Sequence, residues 1–126
     1  MPTLNDAKDQ VIALAKQFGW GISREHVATK IYYAIIELAE AGDAWKHRGD
    51  PAWLERELHV STDRELTDHV AEELIDTIFY CLNGLYCLEP ALDVDAAFTR
   101  KWQINRERGR TYVDDHEDET SPDTRD

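Results

Sequence analysis

This chain reads as an all-α protein, four helices arranged as a four-helix-bundle-like domain. Apolar residues recur at helical spacing in four stretches, 4–18, 24–46, 63–88 and 93–108. No stretch alternates apolar and polar residues with the period of two that marks a half-buried strand. Gly and Pro punctuate the stretches, and short connections let consecutive helices pack as neighbours.

The first helix is expected from Leu4 to Phe18. Leu4, Val11, Ile12, Leu14, Ala15 and Phe18 give it one apolar face. Thr3 followed by Asp6 can start it, and Gly19-Trp20-Gly21 ends it, because glycine tolerates the left-handed cap. Trp20 is expected as a core or lid aromatic, with stacking on a ligand base as the sharper alternative.

Ser23 can cap the second helix, expected to run from about Arg24 to Lys46. Its stretch from Ile31 to Trp45, IYYAIIELAEAGDAW, is apolar nearly all the way round, and such a helix is expected to be buried. Yet it carries Glu37 and Glu40, three apart and on one face, with Asp43 a step further. Ionised carboxylates are costly to take out of water unless a partner compensates them.

Gly49-Asp50-Pro51 breaks that helix. The stretch 51–60 is ambiguous, although Trp53, Leu54 and Leu58 could form a short packed helix. Thr62 with Glu65 matches a capping box, so the third helix is expected from Asp63 to Leu88, ahead of Pro90. His69, Glu73, Asp76, Tyr80 and Asn83 form one polar stripe along it, with Glu72 alongside. Gly84 weakens a helix by ~1 kcal/mol and implies close packing there. Asp93 starts the last helix, expected to reach about Arg108. Val94, Ala97, Phe98, Trp102 and Ile104 are its apolar contacts, and Lys101, Asn105 and Arg108 share another face.

With 126 residues, 42% hydrophobic, the chain is the size of one domain with one core. Its net charge of -12 argues against a general nucleic-acid binder, which needs a positive field. A small anionic ligand stays open, because divalent cations reverse a local field. Half of the charge sits in the stretch from Asp114 to Asp126, which has seven acidic residues and one Arg. The expected organisation is therefore a helical domain over 1–113 and a disordered acidic tail over 114–126. Cys81 and Cys87, six apart on one helix, point in different directions and are expected as two buried free thiols in a reducing compartment. No run of ~18 apolar residues implies a membrane span, and the N-terminus does not read as a signal peptide. A cytoplasmic location is expected.

Helices two and three thus present two acid pairs, Glu37 with Glu40 and Glu73 with Asp76. One E-x-x-E on a helix is most often solvated; two, each inside an apolar run, point to a shared site. Four converging carboxylates would repel, and a hard divalent cation with oxygen ligands resolves this. Mg²⁺ is the expected ion, with Mn²⁺ able to substitute. A ferritin-like di-iron site would need Glu-x-x-His, which neither Glu37 nor Glu73 begins. No zinc pattern and no Gly-rich phosphate loop is present, and His69 is expected as a supporting or surface residue.

E-x-x-E on one helix, E-x-x-D on the next and K-x-x-x-N-x-x-R on the last resemble the MazG-like, all-α nucleoside triphosphate pyrophosphohydrolases. FGWGISREHVATKIYYAIIELAEAGDAW, EELIDTIFYCLNGL and RKWQINRERG resemble their successive helices, over about Val11 to Gly109. The resemblance implies metal ligation by Glu37, Glu40, Glu73 and Asp76, with Glu37 or Glu40 also as catalytic base. It implies phosphate or nucleotide contacts from Lys101, Asn105 and Arg108. The implied reaction cleaves a nucleoside triphosphate between the α and β phosphates, giving monophosphate and pyrophosphate. The implied assembly is a homodimer or homotetramer. The family commonly has a further Glu where this chain has Ile36, and the loop 49–61 is long for it. Alternatives are a selective dUTPase- or dCTPase-like enzyme, a phosphoribosyl-ATP pyrophosphohydrolase-like enzyme, or a non-catalytic nucleotide-binding helical protein.

Overall fold

Local signals in the chain start and stop each helix. The computed structural model describes residues 2–115, and the side chains of 2–109. Helix α1, Leu4–Phe18, begins at a capping box in which Thr3 and Asp6 exchange side-chain-to-backbone bonds, and ends at Gly19 with φ of 71°. A single 3₁₀ turn, Arg24–His26, leads into α2, Val27–Lys46. The expected helix from Arg24 therefore holds its first turn in the tighter form. Asp50 accepts from the Trp53 amide, and Pro51 sits at the first position of α3, Pro51–Leu58. Thr62 accepts from the Glu65 amide at the start of α4, Asp63–Leu88. The reciprocal half of that box is displaced: the Glu65 carboxylate takes the Ser61 amide at 3.2 Å, one residue before the cap. Asp93 accepts from the Ala96 amide ahead of α5, Val94–Asp115.

The described residues form five α-helices and no strand, so the all-α expectation holds, with α3 added to the four expected helices. α5 extends seven residues past the expected end at Arg108, through the first two residues of the expected tail. The rest of that tail lies outside the described residues. The chain divides into two compact units, Met1–Leu92 and Asp93–Asp126. No helix among the described residues is long and apolar enough to cross a membrane.

In the first unit α2 and α4 pack along a shared seam. Val27, Lys30, Ala34, Glu37, Ala41 and Ala44 recur three and four apart and are the covered positions of α2. Leu66, Val70, Glu73, Thr77, Tyr80, Gly84 and Cys87 do the same on α4. The helices run antiparallel: near one end a Cβ on Gly84 would lie 3.4 Å from the Lys30 Cβ, and near the other Ala44 clusters with Leu66, Leu54 and Val60. The close approach inferred from Gly84 is therefore found. α1 packs against α4, Ile12 and Ala15 are buried, and the buried Lys8 donates to the Leu92 carbonyl at 2.9 Å.

The stretch Ile31 to Trp45 is not buried. Ile31, Ile35 and Leu38 are 51%, 57% and 51% exposed, and of this stretch only Ala41 and Ala44 are fully covered. The reason is geometric, since one neighbouring helix covers one face. A second apolar stripe, Ile31, Ile35, Leu38, Gly42 and Trp45, sits one residue on from the seam, ~100° round the helix. Leu74, Ile78, Cys81 and Leu88 bear the same relation to the α4 seam. On antiparallel helices the same rotation brings both stripes to one side of the pair. Cys81 is accordingly exposed, against the expectation of two buried thiols; Cys87 is buried, and both are free.

In the second unit α5 exposes Phe98, Trp102 and Ile104, and the Arg106 guanidinium lies 5.5 Å over the Trp102 ring.

Candidate metal centre and adjoining cleft

The seam of α2 and α4, which packs Ala44 with Leu66 at one end, brings acids together at its middle. Glu37 and Glu73 both occupy seam positions, and Asp76 follows Glu73 by three residues. One carboxylate oxygen from each of Glu37, Glu73 and Asp76 lies within 4.8 Å of the others. Glu40 is exposed and outside this triad, though it stands close enough to act on Glu73. Three of the four expected ligands therefore converge, and the fourth is alongside.

Glu73 is the electrostatic centre of the group. Its side chain is only 16% exposed. Its pKa is pushed up to about 8, first by hydrogen bonding with the Glu37 carboxylate, then by burial, then by Glu40. Its Oε1 lies 3.8 Å from His69 Nε2. Its Oε2 is buried with no hydrogen-bond partner among the described residues. A buried, unpartnered carboxylate oxygen costs free energy as it stands. Three carboxylates facing one point, one with an orphaned oxygen, form a donor set that suits a hard cation.

Tyr80, next on the polar stripe, lies beside the acids. Burial raises its pKa most, followed by the charges of Glu37 and Asp76. Its ring tilts against Tyr33 of α2, centroids 5.3 Å apart.

The pocket-facing flank of the same helix pair borders a cleft of about 810 Å³ between α1, the loop after it, α2 and α4. Asp76 belongs to both the acid group and the cleft wall. Trp20, Tyr33, Phe79 and Tyr80 supply aromatic surface, and Lys30, His26 and Asn83 supply polar groups. Trp20 is half-exposed and stacks on Phe18 at 5.3 Å, so it is a cleft-wall aromatic and not a core one. Gly21 is required where it stands, because any Cβ there would strike the His26 ring. That ring is fixed by the Ser23 amide and hydroxyl at Nδ1, 3.3 and 2.9 Å away.

Lys101, Asn105 and Arg108 are exposed on one face of α5, in the second unit. Sequence reasoning did not single out Lys30, which the cleft buries. Its signal was available: Lys30 stands seven residues before Glu37, on the same helix face.

In comparisons with known proteins, no family model, no curated protein and no solved structure matches this chain.

Proposed function

We propose that this protein is a Mg²⁺-dependent nucleoside triphosphate pyrophosphohydrolase of MazG-like type. The observation that carries the reading is the convergence of Glu37, Glu73 and Asp76, with the orphaned Glu73 oxygen among them. Glu37, Glu73 and Asp76 would hold the cation, with Glu40 beside them. A bound Mg²⁺ or Mn²⁺ would neutralise phosphate charge and lower the pKa of a coordinated water. Glu37 or Glu40 accepts the proton of the attacking water, and water adds across the α–β phosphoric anhydride to give monophosphate and pyrophosphate. The aromatic-walled cleft adjoining Asp76 supports a nucleoside as the rest of the substrate. Phosphate or nucleotide contacts from Lys101, Asn105 and Arg108 rest on their spacing and on the resemblance. Arg offers a bidentate fork to phosphate.

The reading includes a homodimer or homotetramer in the cytoplasm. The large apolar residues of the α2–α4 stripe are 43% to 57% exposed, a contiguous apolar face of the kind a partner covers. A second copy packed two-fold on that face would complete a four-helix bundle.

The test is incubation of the pure protein with each NTP and dNTP, with and without Mg²⁺. Pyrophosphate and the matching monophosphate are expected with Mg²⁺ only. Release of pyrophosphate from no nucleotide, with binding intact by calorimetry, would leave a nucleotide-binding protein without turnover.

A further inference from the structure

The far end of the cleft is lined by two largely buried residues whose donor groups have no protein acceptor among the described residues. Lys30 is 6% exposed and Asn83 is 4% exposed, and both line the cleft. Lys30 has no ion pair or hydrogen bond among the described residues. Asn83 uses its carbonyl oxygen to accept from the Cys87 thiol, 3.4 Å away. Its NH₂ group then has no acceptor among the described residues. Lys30 packs at the Gly84 level of α4, where a Cβ on Gly84 would lie 3.4 Å from the Lys30 Cβ, one residue on from Asn83. Among the described residues Glu73 Oε2 is the one fully buried side-chain polar atom without a partner, so the Lys30 ammonium and the Asn83 NH₂ keep open surface on the cleft they line, where a ligand's acceptors can complete them.

Position defines which part of a ligand reaches it. Asp76, in the acid group, and Gly84, against Lys30, are eight residues apart on one helix, so ~12 Å separates the two ends. Phosphates at the acids leave the base edge of a nucleotide at the Lys30 end, between aromatic walls. Lysine carries three donors and no acceptor, and the available group of Asn83 is also a donor. Donors facing the base edge require acceptors on it.

We propose that Lys30, supported by Asn83, reads the base and selects bases with an exocyclic oxygen over those with an amino group at the same position. This rests on the nucleotide reading above. An amino group there would meet the ammonium donor to donor, and a site built on buried hydrogen-bonding groups rejects such a mismatch strongly.

The test pairs substrates that differ in that one group, UTP with CTP and ITP with ATP. The wild-type kcat/KM is expected to favour the oxo member of each pair by about tenfold or more. Lys30→Met should bring UTP down to the CTP level, while Lys30→Arg, which keeps a donor, retains the preference. A melting temperature of Lys30→Met at or above the wild-type value shows that a loss of preference does not reflect unfolding. No oxo preference in the wild type, or a preference that survives in Lys30→Met, would overturn the proposal. If no nucleotide is hydrolysed, the enzyme reading fails by itself. Calorimetry with uridine and cytidine then decides for Lys30: tighter uridine binding that Lys30→Met abolishes supports it, and no uridine binding overturns it.

Discussion

Glu37 of α2 and Glu73 of α4 meet across the helix seam with carboxylate oxygens within 4.8 Å of each other. Neither is paired with a Lys or Arg among the described residues, and the one ion-pair partner is His69, 3.8 Å from Glu73. Two facing carboxylates are held together by a shared proton or by a cation, and the two solutions compete.

Without a divalent cation, stability should fall with rising pH. The folded-state pKa of Glu73 is about 8, above its ordinary value of 4.5. Its contribution is full below pH 4.5 and is lost as pH rises through about 8. Thermal melts in a chelator should show this decline for the wild type. Glu73→Gln, which cannot ionise, should flatten it and melt higher than the wild type at pH 9.

Cation binding should run the opposite way. Affinity for Mg²⁺ is expected to rise towards pH 8, by at most about tenfold per pH unit, with up to about one proton released per ion near neutrality. Calorimetry in buffers of different ionisation enthalpy measures that proton. Mg²⁺ should raise the melting temperature of the wild type, and Glu37→Gln or Asp76→Asn should lose the shift. A Mg²⁺-dependent shift unchanged in both variants would place the ion elsewhere.

Steady-state kinetics should separate the two sets of residues. Glu37→Gln and Asp76→Asn are expected to lower kcat by roughly 100-fold or more while leaving the fold intact. Lys101→Ala and Arg108→Ala should act mainly on KM, raising it about tenfold. Equal losses from a neutral change such as Thr67→Ser would show that the assay reports folding instead.

Leu38→Glu or Ile78→Glu should prevent the proposed dimer or tetramer from forming. Each puts a charge in the middle of the exposed α2–α4 stripe, where the wild type presents apolar surface. Light scattering at micromolar concentration should give a dimer or tetramer for the wild type and a monomer for the variants. A wild-type monomer would show that the stripe faces solvent or another partner.

Much of this molecule was legible in the chain. Thr3, Asp6, Gly19, Thr62 and Pro90 mark helix ends through local bonds and backbone preferences, and those boundaries stand in the structure. The acid pairs were visible because helical spacing alone puts Glu37 with Glu40, and Glu73 with Asp76, on single faces. Helix α3 was ambiguous, because eight residues form a helix only when Leu54 has Ala44 and Leu66 to pack on.

Which residues face one another is a property of the seam, and periodicity in one helix cannot supply it. The sequence determined the helices, the polar stripe and the acid spacing, since each depends on residues within a turn or two. Only tertiary structure decided that α2 shows one face to α4 and leaves Ile31, Ile35 and Leu38 uncovered, because a single neighbour buries a single face. It also decided that Glu37, Glu73 and Asp76 form the triad with Glu40 at its side, and that Lys30 ends buried and unpaired opposite Gly84. Those outcomes follow from the antiparallel register of two helices distant in sequence, which packing fixes and local preference does not.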